Sequence, residues 1–304
     1  VLTDVQRAAR QLAQRLAAER GRPFYVAARV AGSLEMCRRI GYDIPTWIEE
    51  GLVDMLIPAG NAATDPDAEV EQFVDLCRGT DIVVYPGFDG ALAGVPSGPE
   101  DATTREQMSV RGIASRHYRA GATGMYAFNW HAGRDTRREL LTQVGSPKTL
   151  QGTDKIYAAT HRFFQKEGEW RGAYRRDRIL GQVPVALKPT MTGDGPTIRL
   201  DLGDEHTEKR QPRFQLRLRL DEWVRGDEVR IQWDGIELVS PDIRFDRGTD
   251  PDPIGDFAAA VWFRFDLDAA QVTAGQHQVK VALVTRNPQV ASDLILTDAE
   301  LVVT

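Results

Sequence analysis

The chain has 304 residues, enough for two domains of ~150 residues each. Hydrophobic residues make up 42% and charged residues 27%, with 27 Gly and 16 Pro, which excludes disorder, collagen-like repeats and a disulfide scaffold. No apolar run approaches the ~20 residues of a membrane span, and 38 basic against 44 acidic residues, a net charge of -6, exclude a global attraction to nucleic acid.

The first half reads as helices alternating with short apolar strands. Thr3 and Gln6 have the spacing of a capping box, and Val5, Ala8, Ala9, Leu12 and Leu16 recur at helical spacing until Gly21. The chain opens at Val1 within this helical pattern, without a basic and then apolar leader, so removal of upstream sequence is expected. Phe24–Val30 predicts a strand, followed by helical pieces at Leu34–Ile40 and after Asp43. Leu52–Ile57, Ile82–Tyr85 and Thr123–Phe128 predict further strands, and Asp67–Cys77 and Arg105–Ala120 predict helices. Strand starts near 24, 52, 82 and 123 have spacings close to the ~30 residues of consecutive βα units, whose crossovers force parallel pairing. Continuous rather than alternating apolar runs point to burial on both faces. Cys37 and Cys77 fall in the helical stretches and read as buried free thiols.

From about residue 180 the period changes to two. Pro184–Leu187, Ile198–Leu202, Phe214–Leu220, Val229–Trp233, Ile236–Val239, Val261–Leu267, Val279–Val284 and Leu294–Val303 predict strands. Asp234-Gly235 predicts a tight hairpin. Phe214, Leu216, Leu218 and Leu220 alternate with Gln215, Arg217 and Arg219, which predicts one dry and one wet face. Short strands with turn signals between them suggest a jelly-roll-like β-sandwich. The expected division is residues 1–165, a linker at 166–180, and a sandwich at 181–304.

Four parallel strands in the first part fit either an open sheet or the C-terminal half of a (β/α)8 TIM barrel, which needs eight strands. The half-barrel is the expectation, because the chain opens with a helix and a barrel helix must follow a strand.

The segment YVAARVAGSLEMCRRIGYDIPTWIEEGLVDMLIPAG, residues 25–60, resembles the fifth and sixth βα units of glycosyl-hydrolase-like family 10 proteins. YRAGATGMYAFNWHAG, residues 118–133, is similar to that family's last barrel strand. LLTQVGSPKTLQGTDKIY, residues 140–157, fits its closing helices. The resemblance implies a barrel related to glycosidases, often exported, with an appended sandwich. GQHQVKVAL, residues 275–283, is similar to accessory domains of carbohydrate enzymes.

Barrel ligands meet the carboxyl ends of the strands. The candidate groups there are Arg29 with Ser33; Asn61; Tyr85, Phe88 and Asp89; and Asn129, Trp130 and His131. Tyr85 and Trp130 suit stacking on sugar rings, and Arg29, Asn61 and Asn129 suit hydrogen bonds to hydroxyls. Asp89 is the candidate catalytic carboxylate, with Glu35 and Asp65 farther off; a confident pair cannot be assembled. Asp54 starts a strand and reads as structural. No GxSxG, P-loop or GxGxxG motif is present, and the five histidines are too scattered for a zinc site, so neither a cofactor nor a metal is expected.

The expected activity is hydrolysis of O-glycosidic bonds in a poly- or oligosaccharide, with this chain catalytically incomplete. The expected partner is a carbohydrate, not nucleic acid or a membrane. The alternatives are a non-catalytic carbohydrate-binding protein and an assembly module built on the sandwich.

Overall fold

The computed structural model describes residues 1–60, 64, 66–89, 100–131, 133, 135–160, 181–189, 194–203, 212–245 and 259–304. They form two compact units. The first comprises Val1–Ala93 and Ala114–Leu150, the second Gly94–Ile113 and Gln151–Thr304.

The first unit contains α1 (Leu2–Arg20), β1 (Ala27–Ala31), α2 (Leu34–Arg39), α3 (Ile44–Glu49), β2 (Met55–Ala59), α4 (Val70–Cys77), β3 (Val83–Val84) and β4 (Gly87–Asp89). The end of α5 (Ala102–Arg119), β5 (Tyr126–Phe128), α6 (Asp135–Gln143) and α7 (Pro147–Leu150) complete it. The expected strand at 82–85 is two shorter ones, broken at Pro86, which cannot donate to a ladder. All pairings are parallel, in the order β1-β2-β4-β5 with β3 also on β2. The order is sequential, and among the described residues the sheet is open rather than closed into a barrel.

Right-handed crossovers stepping one way place successive helices on one face, as α2, α3 and α4 are here. Val30, Leu56 and Val84 accordingly share a core with Cys37, Ile44, Trp47, Val70, Phe73 and Cys77. Burial pushes both thiols up to about 11, and both cysteines are free. On the other face Arg29, Met55, Val83, Tyr126 and Phe128 are half-buried, while Ile57, Ala59 and Asp89 are buried.

The capping box does not form. Thr3 Oγ1 accepts from Trp47 Nε1 at 3.2 Å, and Gln6 Nε2 donates to the Leu52 carbonyl at 3.2 Å. Both side chains bind α3 and its exit turn instead. The apolar residues Val5 and Leu12 point outward, 63% and 45% exposed.

The second unit adds β6 (Lys155–Ala158), β7 (Val185–Leu187), β8 (Thr197–Leu202), β9 (Phe214–Trp223), β10 (Glu228–Trp233), β11 (Ile236–Leu238), β12 (Asp242–Phe245), β13 (Ala259–Leu267), β14 (Gly275–Thr285) and β15 (Leu294–Val303). One antiparallel sheet runs β11-β10-β14-β8, the other β12-β13-β9-β15-β6 with β7 also on β15. Inward residues of both sheets, among them Leu216, Leu218, Val279, Val281 and Leu301, form one core. Asp234 and Gly235 make the hairpin with φ of 48° and 83°, the left-handed pair that a two-residue turn needs. β6 and β12 were not expected. β6 lies where the resemblance suggests closing helices, and all four residues of β12 are exposed, so no burial period marks it.

The expected wet face of β9 is largely covered, with Arg217 buried and Gln215 and Arg219 half-buried. Arg217 pairs with Glu300, and Arg219 with Asp298, across the β9–β15 ladder. Arg105, in the part of α5 that belongs to this unit, meets Glu300. Arg105, Arg217, Asp298 and Glu300 are 4%, 8%, 2% and 1% exposed. The alternation predicted the side on which each residue lies, but charge alone did not reveal that the charged side is covered.

Gly112 marks the closest approach of α5 to this sheet. A Cβ there would lie 2.2 Å from the Ile156 carbonyl oxygen. Gly112→Ala, stabilising in an ordinary helix by ~1 kcal/mol, is therefore expected to destabilise by about 1–3 kcal/mol through overpacking. Urea unfolding of the two proteins checks the sign.

Candidate functional site

The open face of the parallel sheet carries the candidate site. Arg29 lies mid-way along β1, on the side opposite Val30 and the helices. Its Nη2 donates to the Gly60 carbonyl at 2.6 Å, and its guanidinium carbon lies 4.4 Å from the centre of the Phe128 ring. β1 and β5 are three strand spacings apart, about 14 Å in a flat sheet, where side chains stand perpendicular and would not meet. The sheet therefore curls, with this face concave.

Asp89 ends β4 and is 5% exposed. Thr64 clamps its backbone from both sides, Oγ1 accepting from the Asp89 N–H at 3.0 Å and donating to the Asp89 carbonyl at 3.1 Å. Asp89 is in register with Phe128, so the carboxylate residue, the ring and Arg29 belong to the same face.

Asn129 follows β5 at a φ of 50°, a left-handed conformation that Asn tolerates better than most residues. Its side chain is exposed. The turn delivers Trp130 onto Phe88, ring centres 5.2 Å apart and edge to face. Trp130 Nε1 donates to the Arg137 carbonyl at 3.1 Å, and the Arg137 guanidinium lies 4.9 Å from the ring centre. One indole face is thus occupied within the chain.

Tyr85 sits between β3 and β4, half-buried, below the strand end rather than on the rim. A Cβ at Gly124 would be 2.5 Å from its ring, so the ring packs on the approach to β5. Asn61 and Asp65 lie outside the described residues. Ser33 does not join Arg29: it caps α2, accepting from the Met36 N–H at 3.1 Å. Glu35 is bound by Arg38 and Arg39, each at 2.8 Å, and both hold its carboxyl below the usual range. His131 is exposed. Asp54 accepts from the Val26 N–H at 2.6 Å and Arg10 at 3.0 Å, a tie at the opposite end of the sheet.

The structure thus brings Arg29 to Phe128, and Trp130 to Phe88. Asp89 shares the face of the first pair. Phe128, Thr64 and Arg137 escaped the sequence reading. Phe128 read simply as the end of a strand, and no local signal marks the other two. No second carboxylate stands at a strand end among the described residues, and no group of three His, Cys, Asp or Glu there gathers to hold a metal. No helix among them is long and apolar enough to cross a membrane.

No family model matches the chain, and no curated protein does. Among solved structures it is similar to a cycloisomaltooligosaccharide glucanotransferase of Paenibacillus sp. complexed with cycloisomaltoheptaose, at 10% identity and a TM-score of 0.23 over 88% of this chain. The chain spans 38% of the length of that enzyme. A two-domain esterase active on acetylated mannans gives 13% identity and a TM-score of 0.23, over 98% of this chain and 94% of the esterase. The same esterase with mannopentaose gives 12% and 0.23, over 89% and 77%. All are carbohydrate-active enzymes, but similarity this low fixes neither the fold nor an activity for this chain.

Proposed function

We propose that the first unit is the C-terminal half of a (β/α)8 barrel and the second a jelly-roll-like β-sandwich, and that the protein acts on O-glycosidic bonds of a poly- or oligosaccharide. One observation carries this reading: the contact of Arg29 with Phe128 across three strand spacings. It supports a curled sheet with all its helices outside, and a barrel is the closed form of that curvature. A doubly wound sheet would instead reverse its strand order and carry helices on both faces. The outward Val5 and Leu12 on α1 fit a helix that further βα units would cover.

At the carboxyl ends, Asp89 supplies one of the two carboxyls that glycoside hydrolysis normally needs, ~5–5.5 Å apart for retention or ~6.5–9.5 Å for inversion. Its partner would come from the other half of the ring. Trp130, backed by the buried Phe88, offers apolar surface for a sugar ring, and Arg29 and Asn129 offer donors for its oxygens. The single carboxylate at the described strand ends favours one alternative, a barrel that binds saccharide without cleaving it.

Asp89→Asn separates the two. Under the hydrolytic reading, turnover of oligosaccharides by a protein carrying the complete ring falls about 10²–10⁴-fold, while binding, measured by calorimetry, changes little. Undiminished turnover would remove Asp89 from the chemistry. Binding by that unaltered complete protein with no turnover on any oligosaccharide would establish the alternative.

A further inference from the structure

Arg29 presents a half-buried cation to the concave face, and among the described residues no carboxylate forms an ion pair with it. Its Nη2 hydrogen bond goes to a neutral carbonyl, and its Nε is buried with no acceptor among the described residues. Four other sheltered arginines of this chain meet carboxylates. Arg10 meets Asp54, Arg105 meets Glu300, Arg217 meets Glu100 and Arg286 meets Asp227. A charge partly withdrawn from water without a counter-charge costs free energy that an anionic ligand would offset.

We propose that the saccharide taken at this face is anionic: a sugar unit bearing a carboxylate or a sulfate, received by the Arg29 guanidinium. This rests on the reading of the concave face as a saccharide site. The planar fork of donors on arginine matches the paired oxygens of either anion, which a lone hydroxyl does not offer. The Phe128 ring below and the Gly60 carbonyl beside it fix the guanidinium before a ligand arrives, so little ordering remains to be done on binding. The side chain is only half-buried, which leaves part of it open to solvent.

The test uses matched ligands whose main difference is charge. Binding of the 304-residue chain to oligogalacturonides and to their full methyl esters is measured by calorimetry at low ionic strength. A sulfated oligosaccharide and its desulfated form make a second arm. The charged form of one pair is expected to bind about tenfold tighter or more, as a charged hydrogen bond gives, and the pair showing the preference identifies the anion. Arg29→Gln abolishes the preference by weakening the charged form about tenfold or more beyond any effect on the neutral form; Arg29→Lys keeps part of the preference, and stands in should the Gln variant fail to fold. Equal affinity for charged and neutral forms overturns the proposal while leaving the site intact. So does an Arg29→Gln variant that weakens both forms alike. Failure of every saccharide to bind, charged or neutral, overturns the site and the proposal with it.

Discussion

Replacing Arg105 by alanine is expected to destabilise the second unit by about 3–5 kcal/mol, the range for breaking a buried ion pair by removing one partner. Arg105 binds Glu300 and also Glu100 at 3.2 Å, while Arg217 holds Glu100 at 2.6 Å and lies 3.6 Å from Glu300. Burial pushes the Glu300 carboxyl above its ordinary range, against the pull of Arg105 and Arg217. Without Arg105, a carboxylate 1% exposed keeps only its more distant cation. Desolvation then dominates. The double variant Arg105→Met with Glu300→Leu removes both charges and fills similar volume, and is expected to recover most of the loss. Urea unfolding followed by tryptophan fluorescence and circular dichroism measures all three proteins. A loss below about 1 kcal/mol for Arg105→Ala would mean that water reaches Glu300.

His117 is expected to make the fold acid-sensitive well above the carboxylate range. It is 1% exposed near the end of α5, and among the described residues neither ring nitrogen has a hydrogen-bond partner. Burial first, and the neighbouring Arg116 second, push it from the ordinary 6.5 down to about 3. The folded state therefore refuses a proton that the unfolded chain accepts. Its stabilising contribution is complete above pH 6.5 and is lost progressively as the pH falls toward 3. The window of about 3.5 pH units corresponds to roughly 4–5 kcal/mol. His117→Leu removes the titrating ring and its two unsatisfied nitrogens, so it is expected to equal or exceed the parent stability at pH 7. The difference between the two proteins should grow as the pH drops. A difference constant from pH 7 to pH 4 would show that His117 does not titrate on unfolding.

The sequence was most informative where a signal is local. Strand spacing gave the parallel units, because a βα crossover has a nearly fixed length. Period-two alternation located eight of the ten strands of the second unit among the described residues, and Asp234-Gly235 its hairpin. The placement of Asp54 in a structural tie, and of both cysteines in a core, followed from position and polarity alone. The site was legible only in part. Asp89, Asn129 and Trp130 follow or end strands as expected, but nothing near Tyr85 shows that its ring turns onto Gly124. Asn61 lies outside the described residues.

By itself, then, the sequence determined the kind of most elements, though not β6 or β12, the parallel and antiparallel halves, and which residues share a side of a strand. Only the tertiary structure decided what covers each side. Arg105 and Glu300, 195 residues apart, show that the charged side of β9 is interior, and Arg29 with Phe128 shows that the sheet bends toward its uncovered face. The physical reason is the range of the interactions. Propensity and periodicity act over a few residues, whereas burial of a charge and curvature of a sheet depend on segments that meet only after the chain has folded.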